Sequence, residues 1–147
     1  YRKKLVNNEI NLLDICIKED LLLSTANIAP LSHWITPNIE SRRFDTRFFI
    51  AYLPEKQIVE HDGLELTQSL WINPNKAVEM AFKGEMQMIM PTIKNLQSCS
   101  EFEVAKDMLD SQKRLTNKDI PPILPKFFKE NGNWVGLLPG DDGYEDH

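Results

Sequence analysis

Two short stretches hold residue types that could do chemistry. The first is "SRRFDTRFF", which places Arg42, Arg43, Asp45 and Arg47 close together. A guanidinium presents a planar fork of donors that suits phosphate or carboxylate oxygens, so these arginines could take an anion. In a strand, alternate side chains share a face. Arg43, Asp45 and Arg47 would then point one way, and Arg42, Phe44, Thr46 and Phe48 the other. Asp45 could equally form an ion-pair network with its two arginine neighbours at the strand entrance, which is the plainer reading. The second stretch, "EHDGLE", holds Glu60, His61, Asp62 and Glu65. Oxygen-rich clusters suit magnesium, and a Glu after a tight turn could act as a general base on water. A solvated turn is the ordinary use of such a run. Glu65, which leads into an apolar stretch, fits that use least. In "LLPGDD", Asp141 could meet a cation or a partner, although a Pro-Gly turn ending a hairpin accounts for it.

Other chemistries leave no trace. The six glycines are not spaced as a phosphate-cradling loop. Cys16, Cys99, His33, His61 and His147 show no zinc spacing, and no G-x-S-x-G elbow supports a serine nucleophile. A net charge of −5 argues against general nucleic-acid binding. No apolar run approaches the length of a membrane span and no signal-peptide pattern opens the chain. The two cysteines read as reduced, buried thiols of an intracellular protein.

The elements that must position these residues follow from local signals. Ile10, Leu13 and Ile17 have helical spacing, with Asn8 as cap. "SHWIT" predicts a strand, and "RRFDTRFFIAYLP" a stronger one. The unbroken apolar run of the latter, Phe48 to Leu53, implies cover on both faces. Asp62-Gly63 predicts a turn and "ELTQSLWI" a third strand. Asn73-Pro74 opens a helix that Gly84 ends, and Pro91 opens another. Ser100 and Glu103 form a capping-box pattern for a further helix. Asn131-Gly132 between apolar runs predicts a hairpin. The order is mixed α/β in a single domain over 1–147, with 141–147 a loose acidic tail or a partly ordered turn at Pro139-Gly140.

These residues also carry a resemblance. "WITP" followed by "RRFDTRFFIAYLPE", "DGLE", "LWINPNKAVE", "MPT" and the terminal "GLLPGDDGY" resembles the later half of a Nudix hydrolase, in the coenzyme A diphosphatase-like branch. The resemblance implies a Nudix-like α/β/α sandwich with a mixed sheet, incomplete at its N-terminal side and ending in a β-hairpin. It implies cleavage of the pyrophosphate of coenzyme A or an acyl derivative by metal-assisted water attack, with magnesium or manganese as cofactor. Arg42, Arg43 and Asp45 belong to the branch motif and could place the anionic substrate. Glu65 is similar to an acidic position of the branch and is the candidate metal contact or general base.

The family's metal-binding box, containing R-E-x-x-E-E, occurs nowhere among the 147 residues. With a start at Tyr1 rather than methionine, the expectation is a box lying before Tyr1 and a chain inactive by itself. The alternative is an inactive Nudix-like binding or structural module, a subunit of a larger assembly, exposing a sheet edge and an apolar face. The expected partners are a coenzyme A-like nucleotide, a second copy, or the missing N-terminal segment, and neither nucleic acid nor membrane. Animal members of the branch are peroxisomal, yet the chain closes on Glu-Asp-His rather than S-K-L, leaving cytoplasm or an organelle.

Overall fold

The computed structural model describes residues 1–63 and 66–146. Its organising element is β1 (Ile28–Ile35), paired antiparallel to β2 (Asp45–Ala51) and parallel to β3 (Pro122–Ile123) in the order β2-β1-β3. Pro30 pairs with Phe49 but Ser32 with Phe48, so Leu31 is an extra residue on β1 and makes a bulge. That slip has a packing consequence. Ala29, Ser32 and Trp34 now sit opposite Ile50, Phe48 and Thr46, all on one face. Ala29 and Trp34, 0% and 4% exposed, are thereby brought to the same covered side although five residues apart.

Helix α4 (Met90–Ser100) covers that side: the Ser32 hydroxyl donates to Asn95 Oδ1 at 2.6 Å, and Trp34 Nε1 donates to the Ser32 oxygen at 3.1 Å. Helix α3 (Pro74–Phe82) packs on α4 through buried Ala77 and Val78, and α5 (Ala105–Gln112) reaches β1 with Met108 and Leu109 buried. The α3 signals act as predicted. Asn73 accepts from the Asn75 backbone, Pro74 occupies the first turn, and Gly84 leaves with φ 75°.

The Ser100–Glu103 capping box does not form. Ser100 is the last residue of α4 and its hydroxyl donates back to the Gln97 carbonyl, leaving α5 with Val104 as an uncapped start. The N-terminal helix is likewise displaced. Residues Arg2–Val6 form α1 and Leu12–Lys18 form α2, whose cap is Asn11 in a reciprocal box with Asp14. Asn8 instead turns the chain between them at φ 57°.

The hairpin is as predicted: β4 (Lys126–Glu130) and β5 (Asn133–Leu137) meet at Asn131-Gly132, both with positive φ, as the tightest hairpin turn demands. Residues 141–146 are held rather than loose. The Tyr144 hydroxyl donates to the Leu124 carbonyl, while Lys126 donates to the Tyr144 carbonyl and lies 4.0 Å from its ring centre.

Two expectations about strands fail together. Along β2 only Phe48 and Ile50 are half-buried, and Phe49 is 59% exposed, so the strand is covered on one face rather than two. The segment 66–72, expected to be a third strand, forms none, and Leu70 and Trp71 lie in solvent. A strand exists only where a ladder partner accepts it, and none of the described residues pairs with this segment. The accessible surface reflects this, at 11973 Å² for a chain of 17.0 kDa. A compact monomer of that mass exposes about 7,700 Å². No described helix is long and apolar enough to cross a membrane. Cys16 and Cys99 are free thiols, half-buried in α2 and α4 rather than fully enclosed, and burial pushes the Cys99 thiol above its ordinary pKa.

Candidate substrate-binding site

The β1–β2 connection carries the arginine motif, and Thr36 closes it. Thr36 N–H donates to the Phe44 carbonyl at 2.9 Å, and Phe44 N–H donates to the Thr36 hydroxyl oxygen at 2.9 Å. With the loop pinned at its base, the charged residues diverge. Arg43 Nε donates to the Thr36 carbonyl at 2.8 Å, so this arginine braces the loop. Arg42 turns away and its guanidinium lies 5.0 Å from the centre of the Phe44 ring. Among the described residues, no carboxylate comes within ion-pair distance of Arg42.

Asp45 takes neither arginine. Its Oδ1 lies 2.6 Å from Nε2 of His33, and since a carboxylate only accepts, Nε2–H is the donor. In the ladder His33 faces Arg47 and Ile35 faces Asp45, so the contact is diagonal across the strand pair. The His33 side chain is largely buried while that of Asp45 is mostly exposed, and the contact gives the ring its acceptor. The ion-pair network expected between Asp45 and its arginine neighbours is therefore replaced by a His–Asp pair. His33 was visible in the sequence only as a histidine lacking a zinc partner. Its role depends on the strand register, which the bulge at Leu31 sets.

The other face of the same strands forms a cavity of about 470 Å³. Trp34, Phe44, Phe48, Met90 and Phe127 wall it, and Arg42 and Glu40 contribute charge. Four separate segments meet here: β1, the start of β2, the N-terminus of α4, and β4. Phe127 owes its position to Gly136, since a Cβ there would lie 2.6 Å from the ring. Thus Arg42, Phe44, Thr46 and Phe48 face a cavity while Arg43 and Asp45 serve the framework, the separation that the alternation of a strand predicts.

The acidic stretch does not assemble. Glu60 interacts with Arg2 through both its carbonyl and its carboxylate. His61 Nδ1 lies 2.9 Å from the Ser69 hydroxyl, and the Asp62 carboxylate accepts from Leu66 N–H beside Gly63 at φ 72°, which is the predicted turn. Glu65 lies outside the described residues. Among the described residues, no three histidine, cysteine, aspartate or glutamate groups come together as a metal site. Asp141 accepts from Leu138 N–H at 2.7 Å and so closes the turn after the hairpin.

Comparison with known proteins gives this arrangement its family. The chain is 26% identical over 151 residues to the acyl-coenzyme A diphosphatase NUDT19 of Xenopus laevis, covering 98% of this chain and 39% of that protein. It is 25% identical over 146 residues to the acyl-coenzyme A diphosphatase NUDT19 of Homo sapiens, again 98% and 39%. The chain thus spans about two fifths of the length of these curated relatives. No solved structure matches it. The family model of the NUDT19 Nudix domain matches residues 1–99, which includes the arginine motif, strands β1 and β2, and α4 as far as Cys99. On that match, together with its mixed α/β architecture, the chain belongs to the NUDT19 Nudix domain family.

Proposed function

We propose that this chain is part of a hydrolase that cleaves the pyrophosphate of coenzyme A or an acyl derivative. The observation that carries the reading is the match to two acyl-coenzyme A diphosphatases over 98% of its length. Its own contribution is substrate placement. Arg42, held on the Phe44 ring and without a carboxylate partner among the described residues, offers its donors to a phosphate oxygen. Arg43 and Asp45 keep the loop and the strand entrance in shape for it.

The described residues do not fit a divalent cation, so no step through magnesium or manganese is derived from them. In this proposal the cation's carboxylates come from an R-E-x-x-E-E segment that residues 1–147 do not contain, with Glu65 as an additional ligand or base. The exposed surface, roughly 4,000 Å² beyond that of a compact monomer, supports packing against further chain. A standard protein–protein interface buries only about 1,600 Å² in total.

The test is steady-state kinetics on the protein that carries both parts, with coenzyme A and magnesium or manganese. Arg42→Ala should raise KM on the order of tenfold, the loss of one charge-assisted contact of about 1.5 kcal/mol. Glu65→Gln should lower kcat instead. Unchanged KM and kcat in both variants would remove these residues from the reading, and an inactive Nudix-like module becomes the better account if the folded wild type leaves coenzyme A intact.

A further inference from the structure

The cavity is built for something other than a pyrophosphate. Its walls are mostly rings and hydrocarbon, with Thr36 and Thr46 as hydroxyl-bearing members, and the one polar atom of the Trp34 indole is already committed to Ser32. Phosphates seek donors, whereas an apolar cavity of this size is typical of small-molecule sites of about 300–1,000 Å³. Phe44 lines it yet remains 53% exposed, so the cavity opens to solvent rather than being a sealed packing fault. Charge enters through Arg42, which lies over Phe44, and through Glu40, which also lines the wall.

We propose that this cavity holds the aliphatic acyl chain of the ligand, with the anionic remainder on the Arg42 side. The assignment rests on the coenzyme A reading above and adds to it the part of the substrate that this chain recognises. Hydrocarbon of an acyl thioester would lie between the Trp34, Phe48 and Phe127 rings. Met90, unbranched and flexible, can adjust to chains of different length. Arg42 then selects for a chain whose other end carries negative charge. Thr46, exposed at the cavity wall and opposite Trp34 in the ladder, is the position from which the space can be closed without disturbing the core.

Isothermal titration of the protein that carries both parts, in EDTA so that no substrate is cleaved, with coenzyme A, its butanoyl, octanoyl and dodecanoyl thioesters, and dodecanoate tests the assignment. Affinity should rise with chain length, by at most about fourfold per methylene buried, and level off once the cavity is full. Thr46→Trp, checked for folding by circular dichroism, should bring dodecanoyl-coenzyme A to the affinity of coenzyme A alone. A flat series in the wild-type chain overturns the assignment, whether or not the variant folds. So does a folded Thr46→Trp chain that keeps the full length dependence. If coenzyme A binds but the series is flat, the cavity assignment falls and the coenzyme A reading stands. If dodecanoate binds as tightly as its thioester and Thr46→Trp abolishes both, the cavity takes an aliphatic anion and the coenzyme A reading falls.

Discussion

β1 and β2 run side by side through seven paired positions, yet only β1 is enclosed. β1 buries Ala29, His33 and Trp34, whereas β2, with the more continuously apolar sequence, buries none of its residues to that degree. The difference lies in neighbours. β1 has a strand on each side and α4 and α5 against it, while β2 is an edge strand whose half-buried residues are Phe48 and Ile50 alone. Apolar sequence states what a segment can bury, and topology decides what is there to bury it. An exposed apolar edge of this kind usually marks a surface that another element covers.

The largest effect should come from emptying the enclosed strand. Trp34→Ala should cost about 3–5 kcal/mol, enough to unfold a chain of marginal stability, against less than about 0.5 kcal/mol for Phe49→Ala, an exposed position. Urea denaturation followed by circular dichroism measures both. The contrast is broken if the two variants lose similar stability. It is sharpened if Phe49→Ala becomes costly only in a longer protein, where further chain covers β2.

Next in size is the diagonal pair. Asp45→Ala leaves the buried His33 N–H without its acceptor and should cost about 1–3 kcal/mol, while Arg47→Ala on the same strand should be nearly silent. Equal losses would mean that the strand entrance is held by charge in general and not by His33. Gly136→Ala should follow at about 1 kcal/mol, because the new methyl must push the Phe127 ring. Its second readout is binding in the cavity that Phe127 lines.

The smallest effect belongs to Asp119, in the turn that precedes β3. The Thr116 hydroxyl and N–H both donate to its carboxylate at 2.7 Å and hold its pKa below the usual value. A depressed carboxyl contributes stability that is present in full above its unfolded pKa of about 4 and is lost as pH falls through the folded value. Thermal midpoints of the wild type should therefore drop slightly more than those of Asp119→Asn between pH 5 and pH 2. A variant with the same profile would show that this turn adds nothing.

What the sequence made legible was local. Asn131-Gly132 needs only two residues willing to take positive φ, and Asn73-Pro74 carries its own cap and its own fixed φ. Where a residue had a choice, the signal misled. Ser100 could cap a following helix or bond back into its own, and did the latter. Segment 66–72 had the alternation of a strand but no partner along the sheet edge. The site was legible as a motif and not as an arrangement. Alternation separated Arg42 from Arg43 and Asp45, but the partner that each takes, the Phe44 ring, the Thr36 carbonyl and His33, depends on the closure made by Thr36 and the register set by Leu31. The cavity was invisible because Met90 and Phe127 reach it from distant parts of the chain.

The proposed role of these residues is to place a coenzyme A-type substrate for chemistry whose metal ligands come from an R-E-x-x-E-E segment. Phosphorus NMR of coenzyme A with magnesium tests it most directly, run once with the 147-residue chain and once with a protein that also contains the R-E-x-x-E-E segment. The account predicts an unchanged diphosphate signal in the first sample and its replacement by two phosphate monoester signals in the second. Loss of the diphosphate with the 147 residues alone, or its persistence with the complete folded protein, would contradict it.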